Sequence, residues 1–194
     1  MTVVANKEDL TDVNPNNTTQ RLRTGEGLPS AAIDPATGQL YVTWTDSRFN
    51  GGKFNQVVIS TSTDGGTTWS APAVVSTSTS LPSFTPTVAV NSGGTVGLTF
   101  YDLRNLAPGN TTTLPTDYWL KTSTDHGATF PSETHVAGSF DMLAAPTAGG
   151  FFLGDYEGLA TAGAVFHPLF IATNCAAFNP GCAANRTDVF TGAF

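Results

Sequence analysis

Ser62-Thr-Asp-Gly-Gly-Thr-Thr-Trp69 and Ser123-Thr-Asp-His-Gly-Ala-Thr-Phe130 are two copies of one turn, Ser-x-Asp-x-Gly-x-Thr-aromatic. The residue types suit a tight hairpin. The carboxylate accepts N–H bonds across the bend, Gly66 or Gly127 takes a positive φ, and the aromatic packs back over the strands. Working outward, the stretch Leu28–Arg48 matches Phe84–Arg104. In both, an alternating strand, a polar glycine-containing turn and a second strand end in an aromatic and Asp-x-Arg. Asp46 and Arg48 recur 56 residues on, at Asp102 and Arg104, whereas the two turns are 61 apart. The 5 extra residues fall between Arg104 and Ser123, where a loop tolerates insertion.

A third copy opens near Phe151 and runs through His167–Asn174. Phe170 stands there in place of Trp44 and Phe100, and Ala172 and Asn174 replace the Asp-x-Arg pair. Each full copy reads as four short strands, in the first about Ser30–Ile33, Leu40–Thr45, Gln56–Ser62 and Ala73–Ser76. A unit of this length cannot bury both faces alone, and stacking such units side by side solves the problem. The expected fold is therefore all-β, a partial propeller of about three four-stranded antiparallel blades. Residues 1–27 should supply strands of a preceding or terminal blade. Residues 28–80 and 81–140 form the two full blades, and 141–194 an incomplete third.

Composition narrows the function. The 194 residues carry 15 acidic and 8 basic side chains, for a net charge of −7. That balance makes a poor nucleic-acid binder, because phosphate neutralisation needs clustered cations. Glycine (20) and proline (12) are abundant and lysine scarce, a mix that favours short strands and turns over long helices. No apolar run is long enough for a membrane span, and no signal peptide is visible at the N-terminus. His126, His135 and His167 lack ligand-like spacing, so neither a metal nor another cofactor is expected. Cys175 and Cys182 flank Pro180-Gly181, which permits either a loop disulfide or two reduced thiols.

The paired turns resemble the Asp box, or bacterial neuraminidase repeat, of the sialidase-like propellers. The resemblance covers roughly Leu28 to the C-terminus. It implies that Ser62, Asp64, Gly66, Trp69, Ser123, Asp125, Gly127 and Phe130 are structural and lie opposite the active face. It also implies an extracellular or cell-surface parent protein and a glycan or glycoconjugate as partner. Such propellers have six blades, so the ring would be completed by further N-terminal blades or by a second copy of the chain.

Strand order then fixes which residues share the active face. Arg23 and Glu26 precede the first blade, Asp46 and Arg48 follow its second strand, and Asp102 and Arg104 follow that of the next. Asp155, Tyr156 and Glu157 open the third. The resemblance implies an arginine clamp for an anionic sugar, formed by Arg48 and Arg104, with Arg23 and Glu26 as further substrate-binding residues. It likewise implies a tyrosine nucleophile with a carboxylate partner, Tyr156 with Glu157, and Asp46, Asp102 or Asp155 as further acids. The family's Phe/Tyr-Arg-Ile-Pro motif is absent from the chain. Read from spacing alone, Asp46/Arg48 and Asp102/Arg104 are i, i+2 pairs on one strand face, equally suited to local ion pairs. The expected function is sialidase-like glycoside hydrolysis, or else non-catalytic glycan or protein binding.

Overall fold

The computed structural model describes residues 1–175 and 183–194. Cys182 lies outside the described residues, and with it the choice between a disulfide to Cys175 and two reduced thiols.

Fourteen strands form four sheets among the described residues. The N-terminal segment gives β1 (Val13–Asn14) and β2 (Asn17–Arg23). The first repeat gives β3 (Ser30–Ile33), β4 (Leu40–Asp46), β5 (Gln56–Ser62) and β6 (Ala73–Val74), hydrogen-bonded in that order. The second gives β7 (Ser83–Val90), β8 (Val96–Asp102), β9 (Pro115–Ser123) and β10 (Ser132–Asp141), again in chain order. Then come β11 (Phe151–Phe152), β12 (Gly158–Ala162), β13 (Val165–Thr173) and β14 (Thr187–Thr191), the last three forming the third antiparallel sheet. No helix among the described residues is long and apolar enough to cross a membrane.

Alternation along β8 explains how the sheets stack. Val96, Leu98 and Phe100 project into an apolar layer with Tyr41, Val57, Ile59 and Val75 of the first sheet. Tyr101, on the opposite face, joins Phe84, Tyr118, Phe140 and Phe170 against the third. One strand thus cements two interfaces because successive side chains point to opposite faces. Inner strands β3, β7 and β12 lie side by side. The result is a fan of sheets, an unclosed propeller architecture.

Register separates the two ends of the fan. Ser62 pairs with Leu40, and Ser123 with Val96, so both Ser-x-Asp turns lie at the end where strands 1 and 2 of each blade join. Asp46 pairs with Gln56, and Asp102 with Asp117, at the other end. Both turns close with the same bonds. Asp64 accepts the Thr68 amide at 2.9 Å and the Thr68 hydroxyl at 2.6 Å, and Asp125 receives the same pair from Thr129 at 2.9 and 2.6 Å. Ser62 and Ser123 each accept the amide of Gly66 or Gly127 at 2.9 Å. Gly66 (φ +87°) and Gly127 (φ +81°) take the left-handed conformation that the bend requires.

Phe151–Phe152, read from sequence as the opening of the third copy, joins a different sheet. Phe151 pairs in parallel with Leu22, and Phe152 with Arg23, so the third blade's inner strand starts at Gly158. The reason is local. Gly150 lies so close to the Arg21–Arg23 backbone that any Cβ there would clash, and its bare Cα lets the two segments come together. The small sheet β1-β2-β11 rests on the non-turn end of the fan. Leu22 packs with Leu103, Leu106, Leu114 and Met142, and the Ser47 amide donates to the Glu8 carbonyl at 2.6 Å.

Candidate functional site

Two adjoining recesses open where the inner strands begin, at the end opposite the Ser-x-Asp turns. The larger, about 450 Å³, is walled by Arg21, Arg23, Glu26 and Ala148. The smaller, about 100 Å³, lies between Pro29–Ser30 at the head of β3, Thr85–Thr87 on β7, and Tyr156–Glu157 just before β12. Gly25, Leu28 and Asp155 border both, so the two form one groove with Asp155 at the divide.

Arg23, Glu26, Asp155, Tyr156 and Glu157 therefore come together as the strand order suggested. Arg23 grips Asp155 with two parallel bonds, Nε to Oδ1 at 3.1 Å and Nη2 to Oδ2 at 2.7 Å. Its Nη1 donates to the Ala148 carbonyl at 3.3 Å, and its guanidinium lies 4.4 Å from the centre of the Phe152 ring. Glu26 faces Arg21 at 3.5 Å. The Asp155 carboxylate holds the guanidinium of Arg23 above its usual range.

Glu157 has a different environment. Burial pushes its carboxyl up to about 8, against the pull of a hydrogen bond from Tyr101. The Tyr101 oxygen lies 2.8 Å from Glu157 Oε1 and 2.7 Å from the Ile171 carbonyl, and it accepts the Ile171 amide at 3.0 Å. A phenol has one hydrogen for those two acceptors. A protonated Glu157 resolves the conflict by donating to the phenolic oxygen. Tyr101 is fully buried, and burial drives its own ionisation well above the ordinary range. Tyr156 turns the other way, 71% exposed on the rim, with no hydrogen bond to a carboxylate among the described residues. The pairing of Tyr156 with Glu157 that the resemblance implied is not formed, and Glu157 meets Tyr101 instead.

The Asp-x-Arg pairs line neither recess. Asp46, fully buried, accepts Arg48 Nε at 2.8 Å, Arg48 Nη2 at 2.8 Å and Trp44 Nε1 at 3.0 Å. Burial raises this carboxyl, but those donors outweigh it and hold it below the usual range. Asp102 accepts Arg104 Nε at 2.6 Å and Trp119 Nε1 at 3.0 Å. There burial wins over the arginine and the carboxyl is raised. Arg104 also forks onto Glu133 at 2.8 and 2.9 Å and stacks 3.8 Å over Trp119. Both arginines are closed onto carboxylates and aromatic rings of their own blades.

Sequence reasoning missed Tyr101, Arg21 and Glu133. The signal for Tyr101 was a difference between the copies, since the residue before Asp46 is Thr45 and the residue before Asp102 is Tyr101. No signal marked Glu133, whose partner is 29 residues away in the chain. Among the described residues, no group of three or more His, Cys, Asp or Glu could hold a metal ion.

No family model and no curated protein matches the chain. Solved structures do. Penicillium chrysogenum α-L-arabinanase, complexed with arabinobiose, aligns over 96% of this chain and 51% of its own, with 20% identity and a TM-score of 0.57. The α-L-arabinofuranosidase of Fusarium graminearum, in complex with an iminosugar inhibitor, aligns over 84% and 44%, with 19% identity and a TM-score of 0.55. A Hadza microbial sialidase aligns over 84% of this chain and 30% of its own, with 16% identity and a TM-score of 0.49. The chain spans between 30% and 51% of the length of these three proteins. At such identities the likeness speaks for the fold. The chain is all-β and propeller-like.

Proposed function

We propose that this chain is part of a glycan-processing β-propeller and that the groove is its carbohydrate site. One observation carries the reading: two carboxyl groups flank Tyr156 at the mouth of the inner strands, in opposite environments. Glu157, raised by burial, is suited to donate a proton to a leaving oxygen. Asp155, held by Nε and Nη2 of Arg23, presents its carboxylate to the groove where a positive centre would develop. Paired carboxyls divided in this way are the working parts of glycoside hydrolysis.

The glycosidase folds that align with the chain support the reading, and the hydrogen-bonded Ser-x-Asp turns support membership of the Asp-box superfamily. On this proposal the parent protein works outside the cell or at its surface, and further blades or a second copy complete the ring. A non-catalytic glycan-binding module is the second reading, favoured by the exposed aromatic face of Tyr156. Release of aryl alcohol from a panel of chromogenic glycosides separates the two. Hydrolysis is expected to fade as pH rises through about 8, where Glu157 loses its proton, and to drop by roughly 100-fold or more in Glu157→Gln. Saccharide binding without turnover would favour the binding module, and turnover unaffected by Glu157→Gln would remove Glu157 from the chemistry.

A further inference from the structure

We infer that the groove selects an uncharged, hydroxyl-rich saccharide and rejects one bearing a carboxylate, with Tyr156 as the stacking surface for a sugar ring. This rests on the glycan reading of the same groove and reverses the anionic preference that an arginine clamp would confer.

The cations come first. A guanidinium recognises an incoming carboxylate by offering two parallel N–H groups. Arg23 spends that pair on Asp155 and its remaining bonded nitrogen on the Ala148 carbonyl. Arg21 faces Glu26. Arg48 and Arg104 are paired within their blades and lie outside the groove. An anionic sugar reaching Arg23 would have to displace Asp155, leaving that carboxylate unpaired beside the newcomer. One reaching Arg21 would meet the Glu26 carboxylate 3.5 Å from it. Two arginines meet three carboxyl groups here, so the groove offers no surplus of positive charge even with Glu157 protonated. The chain's net charge of −7 adds repulsion at longer range.

What remains on offer suits neutral sugars. Carboxylate oxygens of Asp155 and Glu26 accept from sugar hydroxyls in strong charge-assisted bonds. The hydroxyls of Thr85 and Thr87 already donate to the carbonyls of Thr24 and Glu157, at 2.9 and 3.1 Å, so their oxygens retain acceptor capacity only. Tyr156 and Leu28, both exposed, supply apolar surface for the C–H face of a ring.

The test is an array of neutral oligosaccharides, each printed beside its sialylated or uronate-bearing counterpart, probed with the 194-residue chain and followed by calorimetry on any hits. Neutral members should bind at least tenfold more tightly than their acidic counterparts. Tyr156→Ala, a change on the exposed rim, should weaken neutral binding about tenfold. Asp155→Asn should release the Arg23 fork and shift preference toward the acidic counterparts, an effect that a merely structural Asp155 would not produce. Equal or tighter binding of acidic sugars by the unmodified chain overturns the inference and leaves the glycan reading standing. Binding to no saccharide of either kind overturns both.

Discussion

Asp64 is a surface residue that organises a whole hairpin. Bonds from the Thr68 hydroxyl, the Thr68 amide and the Ser62 hydroxyl pull its carboxyl down to about 2, and Asp125 sits at about 2 for the same kind of reason. A carboxylate lowered in the fold stabilises it fully above the ordinary value near 4 and loses that contribution as pH falls through about 2. Asp64→Ala should therefore lower the melting temperature at pH 7 and flatten the loss of stability between about pH 4 and 2. Differential scanning calorimetry across that range checks it. Groove binding should be unchanged, because the turn lies at the opposite end of the blade.

At the scale of the element, β8 is buried along its whole length, at all 7 of its residues. Burying each large apolar side chain is worth roughly 1.5–3 kcal/mol. Gly97 is the point of closest approach. A Cβ there would sit 2.5 Å from Cε1 of Phe166, a ring buried in the third sheet. Glycine is required for steric reasons, since its φ is ordinary. Gly97→Ala should destabilise the protein by about 1–3 kcal/mol, read by urea denaturation. Adding Phe166→Leu should recover much of that loss if the clash is its cause. The strand was legible because Val-Gly-Leu-Thr-Phe-Tyr-Asp alternates and ends in a repeated motif. The identity of its neighbours was not, because alternation marks two faces without naming what covers either.

At the scale of the molecule, the N-terminal sheet is tied across the fan by a buried acid. Asp12 accepts Thr24 Oγ1 at 2.7 Å and Asn55 Nδ2 at 3.2 Å, linking β2's end to the first blade. Burial raises its carboxyl to about 7, opposed by those two bonds and reinforced by the charges of Asp9 and Glu26. A carboxyl raised in the fold binds its proton more tightly there than in the unfolded chain. Stability from Asp12 is therefore greatest below about pH 4 and declines as pH rises to about 7, by up to 1.4 kcal/mol per unit. Asp12→Asn, which cannot ionise, should lose less stability than the parent chain between pH 4 and 7. Parallel pH-dependent slopes in thermal melts of the two proteins would sink that assignment. Since Thr24 accepts a bond from Thr85 on the groove's wall, the same tie helps to position the site.

The sequence alone determined the repeat, the strands of its two full copies and the two ends of each of those blades. Those depend on alternation and turn chemistry, which act within about ten residues and leave a mark on every copy. It also placed Arg23, Asp155 and Glu157 at one mouth, because strand direction dictates which loops share an end. Only the tertiary structure decided that Arg104 closes on Glu133, that Glu157 meets Tyr101, and that Phe151–Phe152 zips onto β2. Each of these joins residues far apart in the chain, settled by side-chain reach, backbone pairing and burial. Neither spacing nor composition encodes such pairings.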